Sequence, residues 1–80
     1  MKRPEVVKTL KEIIHRIAPT ATAILYGSEA RGDARSDSDI DLLILVDKES
    51  LTLKEEREIT YPLYDVEFNT GVMINPMVVI

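Results

Sequence analysis

The chain has 80 residues, which is enough for one small domain. Its 14 acidic residues outnumber its 10 Lys and Arg, and the net charge of −4 argues against bulk electrostatic binding to nucleic acid. The sequence contains no Cys, which excludes a disulfide framework and a thiolate zinc site, and its apolar runs are too short to cross a bilayer. We therefore expect a cytoplasmic globular domain without a membrane segment or a signal peptide.

The first predicted element is a helix over residues 4–17. Its apolar residues recur at three- and four-residue spacing, with Lys and Glu between them. Pro4 suits a first helical position, and Pro19 marks the end of the helix. The short segment 22–26 is rich in apolar and β-branched residues, and this pattern predicts a buried strand.

A polar loop and two further apolar runs follow. Residues 27–38 predict a turn and a loop, and the nearly continuous apolar run 40–46 predicts a central strand that is covered on both faces. Residues 52–55, with the sequence Thr-Leu-Lys-Glu, match a capping box and predict the start of a second helix. The last apolar run, 72–80, predicts a third strand, in which Pro76 favours an edge position or a bulge.

Pro62 leaves the extent of the second helix open. Either a kinked helix continues to about residue 69, or residues 61–68 form a strand, and proline is unfavourable in the interior of both elements. We favour the helix, because a strand on each side of Gly71 would leave too little chain to cover the sheet. The order helix, strand, loop, strand, helix, strand then predicts an α/β fold, with helices packed on a small mixed sheet.

Two carboxylates stand at the beginning of the second predicted strand. Alternate residues of a strand point to the same face, so Asp39 and Asp41 should lie side by side, with their Cα atoms about 6.5–7 Å apart. Two carboxylates at this spacing can converge on one hard cation or on a pair of cations. Mg²⁺ fits this arrangement, because it favours one or two carboxylates together with substrate phosphates.

Gly27 and Ser28 end the first predicted strand and form a candidate phosphate site. A glycine permits a sharp turn and the close approach of a phosphate to the backbone. Ser28 offers a hydroxyl group and, if a helical turn begins there, backbone N–H groups that point at an anion. Arg31 or Arg35 would then reach phosphate oxygens. Together with the carboxylate pair, this segment predicts a site for a metal-bound phosphate ligand.

The two motifs resemble the signature of the minimal nucleotidyltransferases, which belong to the DNA polymerase β-like nucleotidyltransferase superfamily. The residues that carry the resemblance are Gly-Ser-Glu-Ala-Arg-Gly at 27–32 and, ten residues after Ser28, Asp39-Ile40-Asp41. The resemblance covers about half of the chain closely, and it implies a single domain over residues 1–80 with the superfamily's fold. It also implies that Asp39 and Asp41 hold Mg²⁺ as the catalytic residues and that Gly27 and Ser28 bind the nucleotide. Arg31 is the further nucleotide contact that we expect.

The same resemblance implies an activity and a partner. The expected reaction is a Mg²⁺-dependent transfer of a nucleoside monophosphate from a nucleoside triphosphate, which we expect to be ATP, to a hydroxyl acceptor. Members of the family are often encoded beside small helical proteins as the antitoxin of a toxin–antitoxin pair, and some modify a tyrosine of that partner. A domain this small has little room for its own acceptor pocket, so a partner protein or a homodimer is expected.

One position departs from the family pattern. The family usually adds a third carboxylate on the next strand, as a general base or as a metal ligand. Asn75 stands near this place if residues 72–80 form that strand, whereas Asp65 or Glu67 would serve if the strand covers residues 61–68. We favour Asn75, which cannot accept a proton. The alternative function is therefore an inactive nucleotide-binding or partner-binding module of the same fold.

Overall fold

The computed structural model describes residues 3–27, 31–32, 35 and 38–80. Within them, three strands form one mixed sheet in the order β1-β2-β3, with β1 antiparallel to β2 and β2 parallel to β3. The predicted α/β fold, with helices on a small mixed sheet, is confirmed. The elements in chain order are helix α1 (Arg3–Ile17), strand β1 (Thr22–Tyr26), strand β2 (Ile40–Leu45), helix α2 (Leu53–Thr70) and strand β3 (Ile74–Val79).

Helix α2 is the crossover that allows β2 and β3 to be parallel, since parallel strands cannot be joined by a tight turn. The predicted capping box begins it: the Glu55 N–H donates to Thr52 Oγ1 at 3.1 Å, and the Thr52 N–H donates to Glu55 Oε1 at 3.3 Å. Hydrogen bonds from Lys48 and from Thr52 lower the pKa of Glu55 below its usual value. At the other end, Gly71 takes a φ of +75° and its N–H donates to the Glu67 carbonyl.

The helical interpretation of residues 53–70 is confirmed, and the alternative strand over residues 61–68 is wrong. Pro62 lies inside α2. The helix buries Ile59, Leu63 and Val66, which lie at three- and four-residue spacing, and this burial offsets the backbone hydrogen bond that proline cannot donate. No helix in the described part of the chain is long and apolar enough to span a membrane.

Both helices pack on the same face of the sheet. Alternation along β2 turns Ile40, Leu42 and Ile44 to this face, where each has no exposed surface. Pro76, which stands opposite Leu42, lies on the edge strand β3, as its sequence position favours. The core cluster also contains Val6, Leu10 and Ile14 from α1, Ile59, Leu63 and Val66 from α2, and Val46 and Ile74.

The opposite face of the sheet, which we call the open face, is apolar but partly in contact with solvent. Leu43 pairs with Ile24 on one side and with Met77 on the other. Ile24 and Met77 are exposed, and Leu45 is 38% exposed. The prediction that β2 is covered on both faces is therefore wrong. Its apolar run resembles that of a fully buried strand only because leucines occupy the outward positions as well.

Replacing Leu42 by Ala should destabilise the domain by about 2–5 kcal/mol, because it leaves a cavity between the sheet and the helices. Leu45→Ala is the matched control on the same strand. It should cost less than about 1 kcal/mol, because its side chain is already partly in water. Urea denaturation of both variants measures the difference. Equal losses would mean that the open face is also covered in solution.

Candidate active site

The end of β1 and the beginnings of β2 and β3 meet at one edge of the sheet. The strand register pairs Asp41 with Tyr26 on one side and with Asn75 on the other. Gly27 directly follows β1, and Asp39 directly precedes β2. Residues that are far apart in the sequence are therefore brought together around Asp41, and this edge is the candidate active site.

Gly27 lies directly against the Asp41 side chain. Its φ is +67°, a left-handed backbone conformation that favours glycine. A Cβ atom at this position would overlap Asp41 Oδ2. The predicted sharp turn at Gly27 is confirmed. The close approach that glycine permits here is to the carboxylate, so position 27 has two separate reasons to lack a side chain.

Asn75 contacts Asp41 from the other side. Its Nδ2 donates a hydrogen bond to Asp41 Oδ1 at 3.0 Å. Of the three candidates for the third family position, Asn75 is the one that the structure brings to Asp41. Asp65 and Glu67 both lie on α2. The Glu67 carboxylate instead accepts a hydrogen bond from the Ile74 N–H at 2.8 Å.

For two other predicted site residues, Asp39 and Arg31, the structure gives the exposure and a backbone hydrogen bond at or next to the residue. Asp39 is exposed, and the N–H of its neighbour Ile40 donates to the Met73 carbonyl at 2.8 Å. Ile40 faces the core, so continued strand alternation would direct Asp39 and Asp41 to the same side. Arg31 is exposed, and its N–H donates to the Gly27 carbonyl at 3.1 Å. Ser28, the predicted phosphate contact, lies outside the described residues.

Two hydrogen bonds that sequence patterns did not indicate hold the site in place. Arg3 Nη1, at the start of α1, donates to the Ser38 carbonyl at 2.8 Å and thereby fixes the segment that leads to Asp39. Glu67 fixes the start of β3 through Ile74, next to Asn75. No local motif predicts either contact, because each joins two elements through a side chain that would be read as surface charge. Arg35, the alternative phosphate contact, is exposed, and its backbone N–H donates to Ser38 Oγ at 2.9 Å.

The donor set at this edge suits a magnesium ion. Asp39 and Asp41 supply two carboxylates, and Asn75 adds an amide group beside them. The described residues contain no group of three His, Cys, Asp or Glu side chains that would hold a metal by themselves. Mg²⁺ is usually bound through one or two carboxylates while substrate phosphates and water complete its coordination. The residues present therefore fit a cation that arrives with a phosphate ligand.

Gly27→Ala and Gly71→Ala form a matched pair that tests the contact between Gly27 and Asp41. Both glycines have a positive φ, so alanine should cost about 1–2 kcal/mol of backbone strain at either position. Only at Gly27 does the new methyl group meet a side chain. We expect Gly27→Ala to be the more destabilising change in urea denaturation, and to be the one that shifts the NMR signals of Asp41 and Asn75. Equal destabilisation with unchanged signals would contradict this contact.

Comparison with known proteins agrees with the fold and with the motif. Residues 8–76 match the family model described as "Polymerase beta, Nucleotidyltransferase". The chain is 38% identical over 76 residues to "Putative protein adenylyltransferase MJ0141" of Methanocaldococcus jannaschii, a match that covers 92% of this chain and 76% of that protein. No solved structure gives a significant match. The family model covers most of the chain and the relative is similar over nearly all of it, and the chain therefore belongs to the polymerase β nucleotidyltransferase family.

Proposed function

We propose that this domain transfers an adenylyl group from ATP to a hydroxyl group of a protein, in a reaction that depends on Mg²⁺. The acceptor oxygen would bond to the α-phosphorus, the bond from that phosphorus to the bridging oxygen of the β-phosphate would break, pyrophosphate would leave, and the hydroxyl proton would pass to solvent. The observation that carries the proposal is the direct contact between Gly27 and Asp41. It brings Gly27, from the Gly-Ser half of the nucleotidyltransferase motif, against Asp41, from the Asp-x-Asp half. The family membership supports nucleotidyl transfer, and the name of the Methanocaldococcus jannaschii relative supports an adenylyl group and a protein acceptor.

Each residue of the site has a proposed role. Asp39 and Asp41 would hold Mg²⁺, because they supply the two carboxylates at the edge of the sheet. When bound, the metal would neutralise charge on the phosphate under attack and favour ionisation of the acceptor hydroxyl. Gly27 would keep the turn open beside the phosphates, while Ser28 and Arg31 would contact them.

The proposed acceptor is a separate protein, or a second copy of this chain. The open face supports this part of the proposal, because Asp41 and Asn75 belong to the same side of the sheet as its exposed apolar residues. Exposed apolar patches commonly mark protein interaction sites. A small helical partner in an antitoxin-like pair is the acceptor that we favour. We also propose a cytoplasmic location, which the proposed use of ATP supports.

The second candidate function is a module that binds a nucleotide or a partner without transferring a group. The position of Asn75 favours it, since an amide stands beside Asp41 and cannot take a proton from an acceptor. The two candidates differ in one outcome, which is the appearance of a covalent label on a protein.

Asp41→Asn should lower transfer by more than roughly 100-fold, because the loss of a direct metal ligand should exceed the 10- to 100-fold effect typical of outer-shell residues. The assay incubates the protein with ATP labelled at the α-phosphate, Mg²⁺ and a candidate partner, and measures label on either protein. Asp65→Asn is the control, because it removes an exposed carboxylate of α2. Chelation of Mg²⁺ by EDTA should also abolish the label.

The possible results separate the candidates. Label that requires Mg²⁺, disappears with Asp41→Asn and persists with Asp65→Asn supports transfer at this site. Label that persists with Asp41→Asn would contradict the proposed role of that residue. Mg²⁺-dependent binding of ATP without any label would favour the binding module.

A further inference from the structure

The outer side of α2 carries a second stripe of large side chains. Leu53, Tyr61 and Tyr64 are exposed, Phe68 is 89% exposed, and the exposed Arg57 lies between Leu53 and Tyr61. The spacings of four, four, three and four residues follow the helical turn, so these five residues form one line along the helix, which we call the outer stripe. A helix packed on a sheet normally turns charged and polar residues outward. Helix α2 instead has large apolar side chains on both sides.

We propose that the outer stripe is the interface of a homodimer, in which α2 of one copy packs antiparallel on α2 of a second copy. Tyr61 of each copy would lie at the two-fold axis, and every contact would occur twice, as in any isologous interface. The outer stripe belongs to the helix side of the molecule, so the open face stays free for the proposed acceptor. The dimer does not depend on the proposed reaction.

The charges beside Tyr61 favour a second copy as the occupant. Arg57 precedes Tyr61 by four residues and Asp65 follows it by four, and both side chains are exposed. In the antiparallel pair, Arg57 of each copy is therefore level with Asp65 of the other. A parallel pair would set Arg57 against Arg57. Complementary charges thus select the antiparallel direction.

The ends of α2 are complementary as well. Lys54 precedes Tyr61 by seven residues and Phe68 follows it by seven, so Lys54 of one copy is level with Phe68 of the other. The helix dipole disfavours a cation in the first turn and favours one at the last turn, where α2 has no basic residue of its own. The ammonium group can also lie over the phenylalanine ring. Each copy would supply the cation that the end of the other helix lacks.

The size of the outer stripe predicts a reversible dimer. A surface groove of about 500 Å³ borders it and is lined by Lys54, Arg57, Glu58, Tyr61 and Pro62. Tyr64 of the second copy would be level with Glu58, to whose carboxylate its hydroxyl can donate. The three exposed aromatic side chains offer on the order of 400 Å² per copy. This area is at the lower end for specific complexes, and we expect a Kd in the micromolar range.

Sedimentation velocity tests the dimer and its direction. We expect the native chain to dimerise reversibly as its concentration is raised to about 500 μM, which covers the range of weak specific complexes. Arg57→Asp and Asp65→Arg should each raise the Kd by roughly 10-fold or more, because each sets like charges against each other twice. An equimolar mixture of the two variants should dimerise again, because the mixed pair restores both contacts between opposite charges. Lys11→Asp, the same change of charge at an exposed position of α1, is the control and should dimerise as the native chain does.

A second pair of variants tests the apolar part of the interface. Phe68→Ala should raise the Kd by roughly 10-fold or more, because it removes an aromatic anchor from both copies. Met77→Ala is the matched control, since it truncates an exposed apolar side chain of the open face and should leave the Kd unchanged. Circular dichroism shows whether each variant keeps the native helix content.

The contrary results are specific. A native chain that stays monomeric over the whole concentration range would overturn the proposal. A dimer that is weakened by Met77→Ala and not by Phe68→Ala would lie on the open face, which also overturns it. A mixture of Arg57→Asp and Asp65→Arg that stays monomeric, or equal weakening by Lys11→Asp, would overturn the antiparallel contact. None of these results bears on the transfer reaction, which the labelling assay tests separately.

Discussion

The register between β1 and β2 is the constraint on which the site depends. It sets Tyr26 opposite Asp41, and it thereby lets the turn at Gly27 close over the carboxylate. A slip of one residue would exchange the two faces of a strand, so that Asp41 would enter the core and Leu42 would leave it. The pairing of β1 with β2 therefore determines both which residues of β2 enter the core and which ones reach the site. Stability and function share the same register.

The parallel pairing of β2 with β3 adds the second neighbour of Asp41. It requires the long crossover through α2, and it sets Asn75 opposite Asp41 although 34 residues separate them in the sequence. The contact between Gly27 and Asp41 is made across the shorter connection, from β1 to β2, and the contact between Asn75 and Asp41 across the longer one, from β2 to β3. Closing the longer connection costs more chain entropy, and the packing of α2 on the sheet helps to offset that cost.

Much of this arrangement could be predicted from local patterns. The strand at 22–26 has the predicted bounds, α1 begins one residue earlier than expected at Arg3, and β3 is shorter than its apolar run. The capping box identified the start of α2, and the need for enough chain to cover the sheet favoured a helix despite Pro62, which the structure places inside α2. The recognised motif predicted that Gly27 and Asp41 belong to one site, but it did not predict the contact between them. The roles of Arg3 and Glu67 could not be predicted, because a surface charge has the same local pattern whether or not it reaches a distant backbone atom.

The position of the site at the junction of all three strands has a thermodynamic consequence. A chain of 80 residues has a small core, and domains of this kind are stable by only about 5–15 kcal/mol. A ligand that binds only the folded state at 100 times its Kd would add about 2.7 kcal/mol, which is a large share of that total. Asp41 lies against Gly27, directly after β1, and is hydrogen-bonded to Asn75 on β3. A ligand of Asp41 would therefore stabilise contacts among all three strands. Such a ligand would lower the small unfolded fraction about 100-fold, and would thereby slow any proteolysis that proceeds through the unfolded state.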